Sequence, residues 1–437
     1  MKRCIGIVLL LFHFTGFTQV WRVLPNSPLS ASFRHDDLYF INPDTGWVCN
    51  VDGNIYETTD AGATWKKQIS MPNTSFRCIG FINAMKGWAG NLGIGRWSPT
   101  VDTLPLYETK DGGNTWQPVL NISGPLPQGI CGINVVNDSV VYAVGRVGGP
   151  AYLLKTTNAG ASWKSTDMSA IAFQLIDCKF FSPDTGFVIG GFPAPDSLSR
   201  TKILYTTNGG INWTAVTSGV DTGFHCWKIF FVNRQLGYVS IENNVKGDTV
   251  YFLKTMDGGL SWKKSSYFKS QSWGGQGIGF VNDTLGWCAF LSGDTKQTSD
   301  GGKTWTDANA ILNSLNRMRV INPNLAYAVG NKVWKYSLYA TGIEQAVQMI
   351  PAKLSLSCFP NPFKEKITIQ YRIPFAGKVD IRLYDFSGRP VKIIHDAIDA
   401  AGEHRLDLVI SYYFDTHFFV VLKFEQYQIT QRIISGN

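Results

Sequence analysis

Few groups in this chain could do chemistry. Ahead of residue 340 the only glutamates are Glu57, Glu108 and Glu242, and glycoside hydrolysis generally needs two suitably placed carboxyl groups. Glu57 and Glu108 share one position just before a repeated motif, which marks them as scaffold. Glu242 sits in a loop and is a weak catalytic candidate, with Asp36, Asp37, Asp177 and Asp221 as possible companions. The more abundant set is basic and aromatic: Arg34, His35, Arg77, Arg96, Trp97, Arg146, Arg200, His225, Trp227, Trp273, Gln276, Arg317 and Arg319. Planar guanidinium groups match carboxylates and phosphates, and exposed Trp faces match sugars or cations. For any single member the plain alternative is a solvated loop charge or a packed Trp. No histidine cluster has ligand spacing, and no GxSxG element, phosphate loop or EF-hand loop is present, so neither a metal nor a cofactor is expected.

The elements that must position these residues follow from composition and periodicity. A chain of 437 residues is long enough for two or more folding units. With 44% hydrophobic and 16% charged residues, disorder is excluded, while 44 Gly, 17 Tyr, 27 Phe and 14 Trp favour an all-β fold. The net charge of +8 falls to +6 without Lys2 and Arg3, and basic runs are no longer than pairs such as Lys66-Lys67, which argues against nucleic acid. Residues 1–18 carry Lys2 and Arg3, an apolar stretch from Ile5 to about Phe14 and then small or polar residues, the pattern of a secretory signal peptide. No segment has the length of a transmembrane helix. Past the leader, Cys49, Cys78, Cys131, Cys178, Cys226, Cys288 and Cys358 are odd in number and lack a CxxC pair, so plain buried thiols are expected.

An eight-residue unit, T-x-[DN]-x-G-x-[TSN]-W, occurs six times, beginning at Thr58, Thr109, Thr156, Thr206, Thr255 and Thr298. Asp60, Asp111, Asn158, Asn208, Asp257 and Asp300 can accept backbone N–H bonds across a tight turn, and the glycine two residues later permits positive φ. A second marker, an apolar strand, a turn and a Gly-aromatic strand, occurs seven times, from Phe40–Trp47 to Val320–Gly330. Each unit therefore reads as strand, strand, strand, box turn, strand, which is a propeller blade. The seventh unit lacks a final strand. Trp21–Leu24 stands at repeat spacing before Trp65 and is expected to complete it beside residues 333–337.

These units resemble the Asp-box, or BNR, repeat of β-propellers, over roughly residues 20–340. The resemblance implies a seven-bladed propeller with structural boxes. It includes sialidases and other glycosidases, but the Arg-Ile-Pro triplet of sialidases occurs only as Arg372-Ile373-Pro374, far from the repeats, and xyloglucanase-type enzymes generally set two Asp between paired propellers. Box density and single-ring size look most like photosystem II stability and assembly factor-like proteins, which implies a non-catalytic binding scaffold. Long insertions between second and third strands, at 91–105, 146–150, 192–201 and 242–249, put the functional expectation on the face opposite the boxes.

After Leu338 the repeat stops. Cys358–Phe363 (CFPNPF), Ile367–Pro374 (ITIQYRIP) and Leu383–Arg389 (LYDFSGR) look like the C-terminal sorting domain of the type IX secretion system of Bacteroidota. Alternating runs at 367–373 and 379–384 predict half-buried strands of a small Ig-like β-sandwich. The family's Gly-x-Tyr step is replaced by Thr416-His417-Phe418, and Ser435–Asn437 lacks the usual basic ending. The expected division is 1–18 signal peptide, 19–339 propeller, 340–353 linker and 354–437 sorting domain. By that resemblance the partners are the type IX translocon, an unknown protein or glycan ligand and, in some relatives, surface lipopolysaccharide. The location is outside the cell or on its surface, and the alternative activity is a secreted glycoside hydrolase.

Overall fold

The computed structural model describes residues 16–435 except 96–99, 194–198, 217–223, 244–248, 270–274, 291–294, 309–313, 342–353, 375, 386–389, 411–416 and 425–426. Most of the signal peptide and of the linker lie outside the described residues. One compact unit covers Phe17–Tyr339 and another contains Ala340–Asn437.

Every element assigned is a strand. Among the described residues, Gly16–Thr341 forms seven sheets, each built from strands adjacent in sequence except the seventh. In that sheet the strands Arg317–Asn322, Leu325–Val329 and Val333–Thr341 are joined at the outer edge by Gly16–Val23 from the opposite end of the chain. Leu24 N donates to Val333 O at 2.9 Å, so the expected closure occurs. The third sheet has an unforeseen fifth strand, Ile122–Ser123, parallel to Trp163–Asp167.

The innermost strands pack against one another in chain order, and that of the seventh sheet packs against that of the first, making a ring. Buried apolar clusters fill the spaces between sheets. One of them joins Leu38, Phe40 and Val48 of the first sheet to Tyr327 and Val333 of the seventh. All six boxes close hairpins in the same way. In the first, Thr58 Oγ1 donates to Asp60 Oδ1 (2.8 Å), and Thr64 N and Oγ1 donate to the same carboxylate (2.8 and 2.5 Å). Gly160 shows why glycine is required: its φ is +80° and a Cβ there would come within 2.5 Å of the Trp88 ring. Neighbouring sheets are also tied through these turns. Trp47 Nε1 donates to Gly112 O, Tyr142 and Tyr238 hydroxyls to Gly209 O and Gly301 O, and Tyr327 of the last sheet to Ala61 O of the first.

In the second unit, sheets of three and four strands enclose one core containing Ile367, Ile369, Tyr371, Ile373, Val379, Ile381 and Leu383, as the alternation predicts. Asn361 of the PNPF run fastens the last strand, its amide donating to Arg432 O (2.9 Å) and its oxygen accepting from Ile434 N (2.8 Å).

Candidate functional site

The innermost strands come into register at Phe40, Phe81, Val135, Phe180, Phe231, Phe280 and Val320. Three residues earlier stand Asp37, Cys78, Gly132, Asp177, Lys228, Gly277 and Arg317. This one level of the ring therefore holds two carboxylates and two cations. Arg317 Nη1 and Nη2 donate to Asp177 at 2.8 and 3.0 Å, and Arg317 Nε donates to Asp37 Oδ1 at 3.1 Å. Each carboxylate also accepts a backbone N–H from the following sheet, Asp37 from Ile79 (3.2 Å) and Asp177 from Ile229 (3.1 Å). Burial pushes the Asp177 carboxyl up, but Arg317 and then Lys228 outweigh it and hold it below the usual carboxylate range.

A β-bulge recurs just ahead of this level in the first, second, fourth, fifth and sixth sheets, turning the preceding residue toward the axis as well. A second cluster forms there. Asp36 accepts from Arg34 Nε at 2.7 Å and from Arg77 Nη1, and Arg34 Nη1 donates to Gln276 Oε1 at 3.1 Å. Burial raises the Asp36 carboxyl, yet Arg34 and Arg77 hold it below its ordinary range. Gln276 Nε2 donates to Glu242 Oε2 (3.3 Å), which lies 3.9 Å from His225 Nε2. Arg77 stacks on Trp227, 5.1 Å from the ring centroid. Trp227 is only 6% exposed, so its face is not open to a sugar.

Lys228 is the member that sequence reasoning missed. It is 2% exposed, its Nζ has no hydrogen-bond partner among the described residues, and burial with the repulsion of Arg317 lowers its ammonium to about 8. The available signal was register: Lys228 falls at the level of Asp37, Asp177 and Arg317 once the inner strands are superimposed. His35 is also buried, its Nε2 3.0 Å from Pro28 O, and burial lowers its pKa. The seven thiols are all free and buried.

The candidate residues thus divide into groups. Arg34, Asp36, Asp37, Arg77, Asp177, His225, Trp227, Glu242, Gln276 and Arg317 converge on the axis as an ionic plug. Arg319 lies elsewhere, two residues further toward the box turns, with its guanidinium 4.2 Å from the Tyr39 ring centroid. Arg96, Trp97, Asp221 and Trp273 lie outside the described residues, as does the side chain of Arg200. Arg146 lines a cavity of about 370 Å³ with Gln128, Gly148, Gly149, Pro150, Ser169 and Phe173. Its guanidinium is held by carbonyls: Nε donates to Gly149 O at 2.8 Å and Nη1 to Ile94 O. Arg146 is therefore a rigid wall, and Phe173, 38% exposed, supplies an apolar surface.

Residues 357–435 match the family described as secretion system C-terminal sorting domain. The chain is 23% identical over 321 residues, 68% of its own length, to 73% of the photosystem II stability/assembly factor HCF136 of Arabidopsis thaliana. Among solved structures, YCF48 bound to D1 peptide superposes with a TM-score of 0.53 at 17% identity, covering 73% of this chain and 94% of that one. The GH74 xyloglucanase from Xanthomonas campestris gives 0.52 at 12%, covering 81% of this chain and 60% of the enzyme. Such a tail indicates export by the type IX system to the cell surface or beyond. Residues 357–435 are a secretion-system C-terminal sorting domain, and the ring ahead of it is a β-propeller similar to the photosystem II stability and assembly factors.

Proposed function

We propose that this chain is an exported, seven-bladed, non-enzymatic propeller, followed by an Ig-like sorting sandwich, that seats a segment of a partner protein on its long-loop face. The observation that carries this reading is where the axial carboxylates are spent. Asp36, Asp37 and Asp177 are 0–1% exposed and bound to guanidinium groups or backbone N–H. A general acid in a glycosidase needs a raised pKa, whereas Asp36 and Asp177 are held low. The cavity on the long-loop face is walled by Arg146, Pro150 and Phe173, a surface of the kind that takes an apolar or aromatic side chain with polar groups around it. The similar propeller YCF48 is known with a bound D1 peptide, and a peptide segment is the ligand class we carry over as a proposal.

A second reading, a secreted glycoside hydrolase, draws on Glu242. It accepts from Gln276 and approaches His225, and among the described residues no guanidinium bonds it. The experiment that separates the two is a panel of chromogenic glycosides and xyloglucan run alongside peptide and glycan arrays on the full chain. The binding reading expects a saturable peptide or glycan signal that Phe173→Ala weakens, with no turnover. Turnover abolished by Glu242→Gln would replace it with the hydrolase reading.

A further inference from the structure

Charges along the axis balance down to one level and then cease to. In the plug, Arg34, Arg77, Lys228 and Arg317 face Asp36, Asp37, Asp177 and Glu242. Two residues further along the strands that carry Asp177 and Arg317 stand Lys179 and Arg319. Every second side chain of a strand returns to the same side, about 6.8 Å along. Because Arg317 grips Asp177, these strands present that side to each other, and Lys179 and Arg319 occupy the next layer together.

Among the described residues no carboxylate forms an ion pair with either Lys179 or Arg319. Burial, and next the charge of Arg319, push the Lys179 ammonium below its ordinary range. Arg319 Nε is buried, with no hydrogen-bond partner among the described residues. Aromatic faces hold the cations in place: Tyr39 under Arg319 at 4.2 Å, and Phe181 5.7 Å from Lys179 Nζ and 3.9 Å from the Arg234 guanidinium. This layer opens toward the box turns, since in the fourth sheet the box turn at Gly209 bonds the turn that follows the strand carrying Lys179, Gly209 N donating to Asp184 O at 2.8 Å. The plug bounds it on the other side.

We propose that this layer binds a tetrahedral oxyanion, phosphate or sulfate, free or as the terminal ester of a larger molecule, with Arg319 and Lys179 as its direct ligands. A guanidinium fork beside an ammonium suits such an ion. The site is separate from the long-loop face and stands whether or not that face binds peptide.

The test is calorimetric titration of the full chain with inorganic phosphate, sodium sulfate and glucose 6-phosphate at constant ionic strength, with acetylation of Lys179 followed by mass spectrometry. Saturable binding that protects Lys179 is the expected result. Tighter binding of glucose 6-phosphate identifies the ester as the ligand form, and tighter binding of the inorganic ions identifies the free anion. Arg319→Gln and Lys179→Met should each weaken binding about tenfold, the value of one charge-assisted hydrogen bond, with Arg319→Lys losing less. The wild-type protection assay stands even if a variant fails to fold. Absence of saturable binding for all three anions, unchanged Lys179 acetylation, or equal affinity in folded variants would overturn the proposal.

Discussion

Arg317 and Asp177 meet through two hydrogen bonds, 2.8 and 3.0 Å long, although they come from the seventh and fourth sheets of the ring. The same guanidinium reaches Asp37 of the first sheet, so one side chain ties three sheets across the axis. Breaking a buried pair leaves an uncompensated charge and costs about 3–5 kcal/mol. Arg317→Met should therefore lower urea stability by roughly that amount, and Asp177→Asn by somewhat less, because the amide oxygen can still accept from Ile229. The double variant should fall short of the sum of the singles, as expected of residues in contact. Additive losses would show that the pair is not coupled.

Lys228 should give the fold an unusual alkaline profile. Its folded pKa, about 8, lies below the ordinary lysine value of 10.5, so between those values the unfolded chain binds more protons. This group's contribution to stability therefore rises with pH from about 8 to 10.5 and is flat below. Melting curves of wild type and Lys228→Met across that window should separate increasingly in favour of wild type, by on the order of 1–3 kcal/mol at the top. Parallel curves would mean that the folded chain leaves the ammonium at its ordinary pKa.

The box turns should tolerate amide for carboxylate. Asp257 accepts from Ser261 N (3.0 Å) and Oγ (2.5 Å), bonds that hold its carboxyl down to about 2, while Asn158 and Asn208 fill the same place elsewhere. Asp257→Asn should shift stability by less than about 0.5 kcal/mol, and Asp257→Ala should cost about 1 kcal/mol, as a lost cap does. The carboxylate's own contribution is present above the ordinary aspartate value of 3.8 and is lost as pH falls through about 2. Chemical denaturation of both variants checks the ranking.

Ring closure can be broken at Trp21. It is 5% exposed and lies 5.4 Å from the ring centroids of both Trp287 and Tyr336. Trp21→Ala should cost about 3–5 kcal/mol, and deleting residues 19–25 should lower the melting temperature more sharply still, since it removes the outer strand of the seventh sheet. An unchanged melting point would refute the closure.

The repeated architecture was legible because each turn demands particular residues: a hydrogen-bonding Asp or Asn, a glycine at positive φ and a Trp or Tyr that reaches the next sheet. The axial plug was legible only in part. Arg77, Trp227 and Asp177 read as surface or catalytic candidates because loop position does not reveal which side chains a bulge turns inward. Lys228 escaped because a lone lysine in an apolar run, Phe224–Phe231, has no partner in sequence. The partners Asp37 and Arg317 are separated by 280 residues, and only the closed ring brings them together.

The most direct test of the account is equilibrium binding of the full, purified chain to a peptide array, paired with glycoside turnover on the same preparation. The account predicts saturable peptide binding that falls when Phe173→Ala removes the cavity's apolar wall, and no product from any glycoside. Product formation that disappears with Glu242→Gln or Asp36→Asn would contradict it.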